Sequence, residues 1–207
     1  LQSESPAVFI PHINRTHLKT LDTCILERNM QVRHDLMVDE GYRASLPKLE
    51  ISEESEELYW ISIKIEVAEL ISQSTNDAPR LRALIHEIRE MIIDLYPRCD
   101  LVVGEFAEYL EDTTFVIQQI KIGSMDIQGF FKFLGHVMKK NCAPKRDVLV
   151  DSMINCECPI EGLKAALKLI ELMKLDLANF KLDQLRPIIA KTAVSTERGF
   201  FSQLFAN

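Results

Sequence analysis

The chain has 207 residues, 47% of them hydrophobic, a formal charge of −7 and five cysteines. That apolar share can bury a core without staples, while an odd, scattered cysteine set in a chain this long excludes a disulfide miniprotein and points to a reducing compartment, cytosolic or nuclear. The charge is uneven, −11 over residues 1–120 and +4 over 121–207, and the acidic first half argues against nucleic acid as a partner, since phosphate binding depends on Lys and Arg. Residues 1–14, with two prolines and no helical period, predict an extended arm ahead of one helical domain over 15–207. Asn14 or Thr16 can cap a short helix with Leu18, Leu21 and Ile25 on one face. A second short helix is expected over Gln31 to Val38, then a loop from Gly41 to Ile51. The acidic run Ser52 to Glu57 opens a long helix, its carboxylates complementing the helix dipole, and Leu58, Ile61, Ile65, Ala68 and Ile71 form its apolar side.

SQSTNDAP, residues 72–79, is a turn cluster. After it Leu81, Leu84, Ile85, Ile88, Ile92 and Leu95 give the clearest amphipathic pattern of the first half, stopped by Pro97. Residues 104–122 read as helix despite β-branched Thr113, Thr114, Val116 and Ile117. Asp126 caps a helix carrying Ile127, Phe130, Phe131, Leu134, Val137 and Met138 and ending near Asn141. Pro144 restarts the chain through Met153 or Ile154, and Pro159 opens GLKAALKLIELMKLDLANF. A last helix is expected from Asp183 to about Leu204, with Pro187 near its first turn. The fold class is therefore all-α: a single multi-helix domain of about eight to ten helices, most of about 8–20 residues, packed mainly as antiparallel neighbours. No apolar run approaches the ~20 residues of a membrane span. The start on Leu1, with no secretory pattern, reads as a piece cut from a longer chain.

Four constellations bear on chemistry. In CAPKRD, residues 142–147, Cys142, Pro144 and Asp147 read as helix-start residues, while Lys139, Lys140, Lys145 and Arg146 form a basic corner suited to a phosphate or to a protein with an acidic surface. Cys156 and Cys158, even with Cys142 and His136, fall short of the paired spacing that structural zinc needs. His34-Asp35 is the doublet at the metal centre of all-α HD phosphohydrolases, with His12 or His17 as upstream ligand; the competing reading is a braced short helix. Seven glycines and no Gly-rich phosphate loop exclude kinase and nucleotide-binding sites. In ELMKLDLANF, residues 171–180, Lys174 and Asp176 are two apart and cannot pair along one helix face. Arg186 and Glu197-Arg198 on a returning last helix are their expected partners.

RHDLMVD at 33–39, NCAPKRD at 141–147, ELMKLDLANF at 171–180, LRP at 185–187 and ER at 197–198, in this order, resemble the T-complex protein 11 family. LKTLDTCILERNMQVRHDLMVDEGYRAS, from residue 18, resembles its fungal branch, whose yeast member is known as a suppressor of protein kinase A deficiency. The similarity runs from about residue 18 to the end, most specifically from 126. The resemblance implies an all-helical, non-catalytic interaction or regulatory module tied to cyclic-AMP and protein kinase A signalling, with no cofactor. Its marked positions fall on Cys142, Pro144, Arg146, Asp147, Lys174, Asp176, Asn179, Arg186 and Pro187. A metal-dependent phosphohydrolase centred on His34 and Asp35, and a purely structural scaffold, are the alternatives.

Overall fold

The computed structural model describes residues 10–23, 30–46, 52–96 and 101–204, and every regular element among them is helical. These residues fall into two compact units: 10–17 with 52–173, and 18–46 with 174–204. The helices are α1 (Arg15–Thr23), α2 (Met30–Val38), α3 (Glu53–Ile71), α4 (Pro79–Leu95), α5 (Leu101–Tyr109), α6 (Thr113–Lys121), α7 (Ile127–Asn141), a 3₁₀ turn (Pro144–Arg146), α8 (Asp147–Ile154) and α9 (Pro159–Leu204). Ile25, Pro97, residues 1–9 of the expected arm and 47–51 of the expected loop lie outside the described residues.

In the first unit, helix starts follow local chemistry. Asn14 Oδ1 accepts from His17 N at 3.1 Å, so Asn14 rather than Thr16 caps α1. Ser52, Asp112 and Asp126 cap α3, α6 and α7 by accepting from the amides of Ser55, Phe115 and Gly129. α4 begins at Pro79 without a capping side chain of its own. Glu66, near the end of α3, does the capping instead: its carboxylate accepts from the amides of Arg80 and Leu81 at 2.9 and 3.1 Å and from Arg80 Nη1 at 2.9 Å. Three donors offset the cost of burying that carboxylate and fix α3 and α4 as an antiparallel hairpin.

The core of this unit is built on α4, whose Leu81, Leu84, Ile85, Ile88, Ile92 and Leu95 are all buried, as their spacing predicts. α7 adds Phe130, Phe131, Leu134, Val137 and Met138, while Ile127 remains 39% exposed. Two glycines mark close approaches. A Cβ at Gly135 would lie 2.4 Å from Ile154 Cδ1, and one at Gly162 2.6 Å from Phe131 Cζ, so α8 and α9 pack against α7 at distances only glycine permits.

Three expectations are corrected. The stripe Leu58, Ile61, Ile65, Ala68 and Ile71 faces outward, and α3 buries Tyr59, Trp60, Ile63, Glu66 and Leu70 instead. α3 is apolar on both sides; the large aromatic pair and the tie of Glu66 to α4 set its rotation. Residues 104–122 are not one helix, because Asp112 caps a new one after a break at Leu110–Asp112. The helix expected to start at Asp183 does not exist as a separate element: α9 runs unbroken from Pro159 to Leu204 with Pro187 inside it. An interior proline costs about 3 kcal/mol in a lone helix. Here Leu182 and Ile189, on either side of Pro187, are both buried in the core of the second unit, which holds the helix together. Among the described residues that cluster is small: Val32, Leu36, Ala44, Leu182 and Ile189, with Tyr42, Leu175 and Leu185 packed against it.

Candidate functional site

The CAPKRD corner lies in the first unit. α7 closes with Cys142 N donating to Met138 O at 2.8 Å, Pro144 starts the 3₁₀ turn, and Arg146 N donates to Ala143 O at 2.8 Å. Asp147 then takes the first position of α8, where the helix dipole favours a carboxylate. Cys142 Sγ lies 3.4 Å from Asp147 Oδ1 as a donor. Burial, and after it the hydrogen bond to Asp147, pushes the thiol up to about 11, away from the thiolate a nucleophile needs. Lys139 is paired with Asp151 at 2.6 Å. Lys140 and Lys145 are exposed and Arg146 is half-buried. With Lys139 paired to Asp151, the corner is less cationic than the run of basic residues suggests. Cys156 Sγ lies 3.4 Å from Cys158 O, and among the described residues no three His, Cys, Asp or Glu side chains converge on a metal position.

The other marked positions lie in the second unit, where Lys174, Asn179 and Arg186 bond to residues of the segment 22–44. Lys174, buried at 7% exposure, pairs with Asp22 of α1 at 2.8 Å. Its expected partners on a returning helix are ruled out by the continuity of α9. Asn179 holds both main-chain groups of Ala44: Oδ1 accepts from its amide at 2.8 Å and Nδ2 donates to its carbonyl at 3.2 Å. Arg186 forks over the end of α2, with Nη1 donating to the carbonyls of Leu36 and Asp39 at 3.2 Å and Nη2 to that of Tyr42 at 3.0 Å. A guanidinium there satisfies carbonyls that a helix end leaves unpaired and opposes their partial negative charge. Arg33 Nη2 donates to Thr192 and Thr196, and Arg43 pairs with Asp183. Pro187 is exposed and Asp176 half-buried.

His34 is exposed, and Asp35 accepts from Gln31 Nε2 at 2.8 Å. In the first unit His17 Nε2 lies 2.9 Å from Glu171 Oε1, both side chains buried. The structure gives the phosphohydrolase alternative no support.

Sequence reasoning missed Glu66, the His17–Glu171 pair and a cavity. The cavity, about 450 Å³ in the first unit, is walled by apolar residues alone, among them Val67, Ile71, Ile85, Ile120, Phe131 and Ile160. A buried acid amid apolar residues, as at Glu66 and Glu171, was the available signal for the first two. The cavity walls come from α3, α4, α6, α7, α9 and the turns between them, so no local pattern could have shown it.

The sequence profile of T-complex protein 11 matches residues 32–207. The chain belongs to the T-complex protein 11 family. It is 28% identical over 217 aligned residues to Protein SOK1 of Saccharomyces cerevisiae, covering 95% of the chain and 23% of that protein. To mouse T-complex protein 11 it is 30% identical over 121 residues, 58% of the chain and 21% of the relative. Human T-complex protein 11-like X-linked protein 1 is 21% identical over 179 residues, 84% and 36% respectively. The chain therefore spans between 21% and 36% of the length of these relatives. No solved structure matches it. The family match takes in both the CAPKRD corner and the Lys174 to Pro187 segment of α9.

Proposed function

We propose that this T-complex protein 11 domain is a non-catalytic interaction module acting inside the cell in cyclic-AMP and protein kinase A signalling, with the Lys139, Lys140, Lys145 and Arg146 corner as the surface for a partner bearing acidic groups. The observation that carries the reading is the likeness to Protein SOK1 along 95% of the chain, which extends the resemblance on which the pathway rests. The geometry is compatible with it. Asn179 and Arg186 are occupied in holding the main chain, the Cys142 thiol is held protonated, and the exposed cations of the corner suit recognition of carboxylate or phosphate groups.

The test is expression of the chain in yeast with lowered protein kinase A activity, beside a chain carrying Lys139→Glu, Lys140→Glu and Lys145→Glu. Improved growth with the parent, and none with the charge-reversed chain at equal abundance, is expected. Equal improvement by both moves the partner surface elsewhere and overturns the assignment to the corner. No improvement by either overturns the pathway reading.

A further inference from the structure

α3 presents two apolar faces in opposite directions. The outward one carries Leu58, Ile61, Ile65 and Ile71, exposed at 58, 43, 52 and 59%, at the spacing that places side chains on one side of a helix, with Ala68 between them. Single exposed aliphatic residues are ordinary; four aligned on one helix form a patch of the kind that marks an interaction surface.

The charge around this stripe is one-sided. Glu53, Glu54, Glu56, Glu57 and Glu69 are all exposed, against the single exposed Lys64, and none of these six is in an ion pair among the described residues. Elsewhere in the same unit Asp94 and Glu90 pair with Arg15, Asp77 with Arg82 and Asp151 with Lys139, while exposed Glu105, Glu108, Glu111 and Glu157 are in no ion pair among the described residues; what distinguishes α3 is that its glutamates flank an exposed apolar stripe. At its far end the stripe opens into the apolar cavity, because Ile71 belongs to both.

We propose that the outer face of α3 receives a basic amphipathic helix of a partner protein, whose apolar side lies along Leu58 to Ile71 and whose end places one large apolar side chain in the cavity. The stripe is about 20 Å long, a match for three to four turns of a partner helix. Charge selects this occupant. A second copy of the chain would bring the same glutamates against these, and an anionic membrane surface would be repelled by them, whereas lysines and arginines flanking an apolar face meet five unpaired carboxylates. The cavity offers no hydrogen-bonding side chain, so what enters it must be hydrocarbon or aromatic. This surface is separate from the cationic corner and opposite in sign, and does not rest on the pathway reading.

The probe is a fluorescent synthetic helix of about 18 residues with leucines on one face and lysines on the other, compared with the same helix carrying glutamates for lysines. Binding is measured by anisotropy at two salt concentrations on the full chain, on Ile61→Ser/Ile65→Ser and on Glu57→Lys/Glu69→Lys. These side chains are exposed, so an unchanged melting temperature in both variants is the check that they fold. The expected result is salt-sensitive binding of the lysine helix, weakened about tenfold or more by either double substitution, with amide-exchange protection confined to residues 58–71 and 120–127. Equal binding by the variants, or of the glutamate helix, overturns the proposal. So does a dimer of the parent in light scattering that Ile61→Ser/Ile65→Ser abolishes, which would make the face a contact between copies. Capture of the parent by phosphatidylserine vesicles, lost in the same variant, would overturn it in favour of a membrane.

Discussion

At CAPKRD the polar residues sit on a short turn between α7 and α8, above side chains that are already buried: Leu134, Val137, Met138, Val150 and Met153. Between Lys174 and Arg186 they grip main-chain groups of residues 36–44 beside a cluster that holds five buried hydrophobics among the described residues. The difference teaches that the use of a polar motif depends on how much apolar surface its surroundings can bury. Where burial is ample, as around α7, charged residues can stay at the surface. Where the cluster is small, the segment after α2 is held by the burial of Ala44, the packing of Tyr42 and the Arg43–Asp183 pair together with hydrogen bonds to its own amides and carbonyls, and Asn179 and Arg186 supply those bonds.

This contrast breaks first at Arg186. Arg186→Ala removes donors from three carbonyls and should destabilise the second unit by about 2–4 kcal/mol, with Arg186→Lys recovering only part because an ammonium lacks the planar fork. Chemical denaturation of the three proteins reads this directly. Asn179→Ala should cost less, about 1–2 kcal/mol, since Ala44 loses one side-chain partner at each of its two main-chain groups. Lys174→Met keeps the apolar stem and frees an Asp22 that is 44% exposed, so a loss of about 1 kcal/mol or less is expected by the same measurement. At the corner, Lys139→Ala should leave the unfolding midpoint unmoved, as its pair with Asp151 is on the surface.

The smallest effect concerns Cys142. Burial first and Asp147 second hold its thiol protonated to about pH 11, so iodoacetamide at pH 8 should modify exposed Cys158 well before Cys142. The sign for stability follows. With the folded value raised above the ordinary 9.0, the thiol's contribution is fully present below pH 9 and fades as the pH climbs towards 11. Labelling followed by peptide mass spectrometry, repeated at rising pH, checks the order.

Much of the fold was legible because it rests on local periodicity. The buried face of α4, the core side chains of α7, the start of α3 at the acidic run from Ser52 and the cap at Asp126 follow from three-and-four spacing and single polar side chains. α3 was misread because both its sides are apolar, and a spacing argument cannot say which of two stripes turns inward. α9 was divided at Asp183 because a proline after an acidic residue is a valid local start signal; the packing of Leu182 and Ile189 that overrides it is tertiary. The motif positions could be found but not interpreted. Asn179 is bonded to a residue 135 positions away and Arg186 to one 150 away, and no spacing within the motif encodes such partners.

Amide hydrogen exchange on the parent and on Arg186→Ala tests the central claim, that the α9 motif fastens the chain. Residues 36–46 should lose protection in the variant while residues 137–154, across the CAPKRD corner, exchange as in the parent. Unchanged protection of 36–46 would contradict it, and would mean that the five buried hydrophobics hold that segment without the arginine.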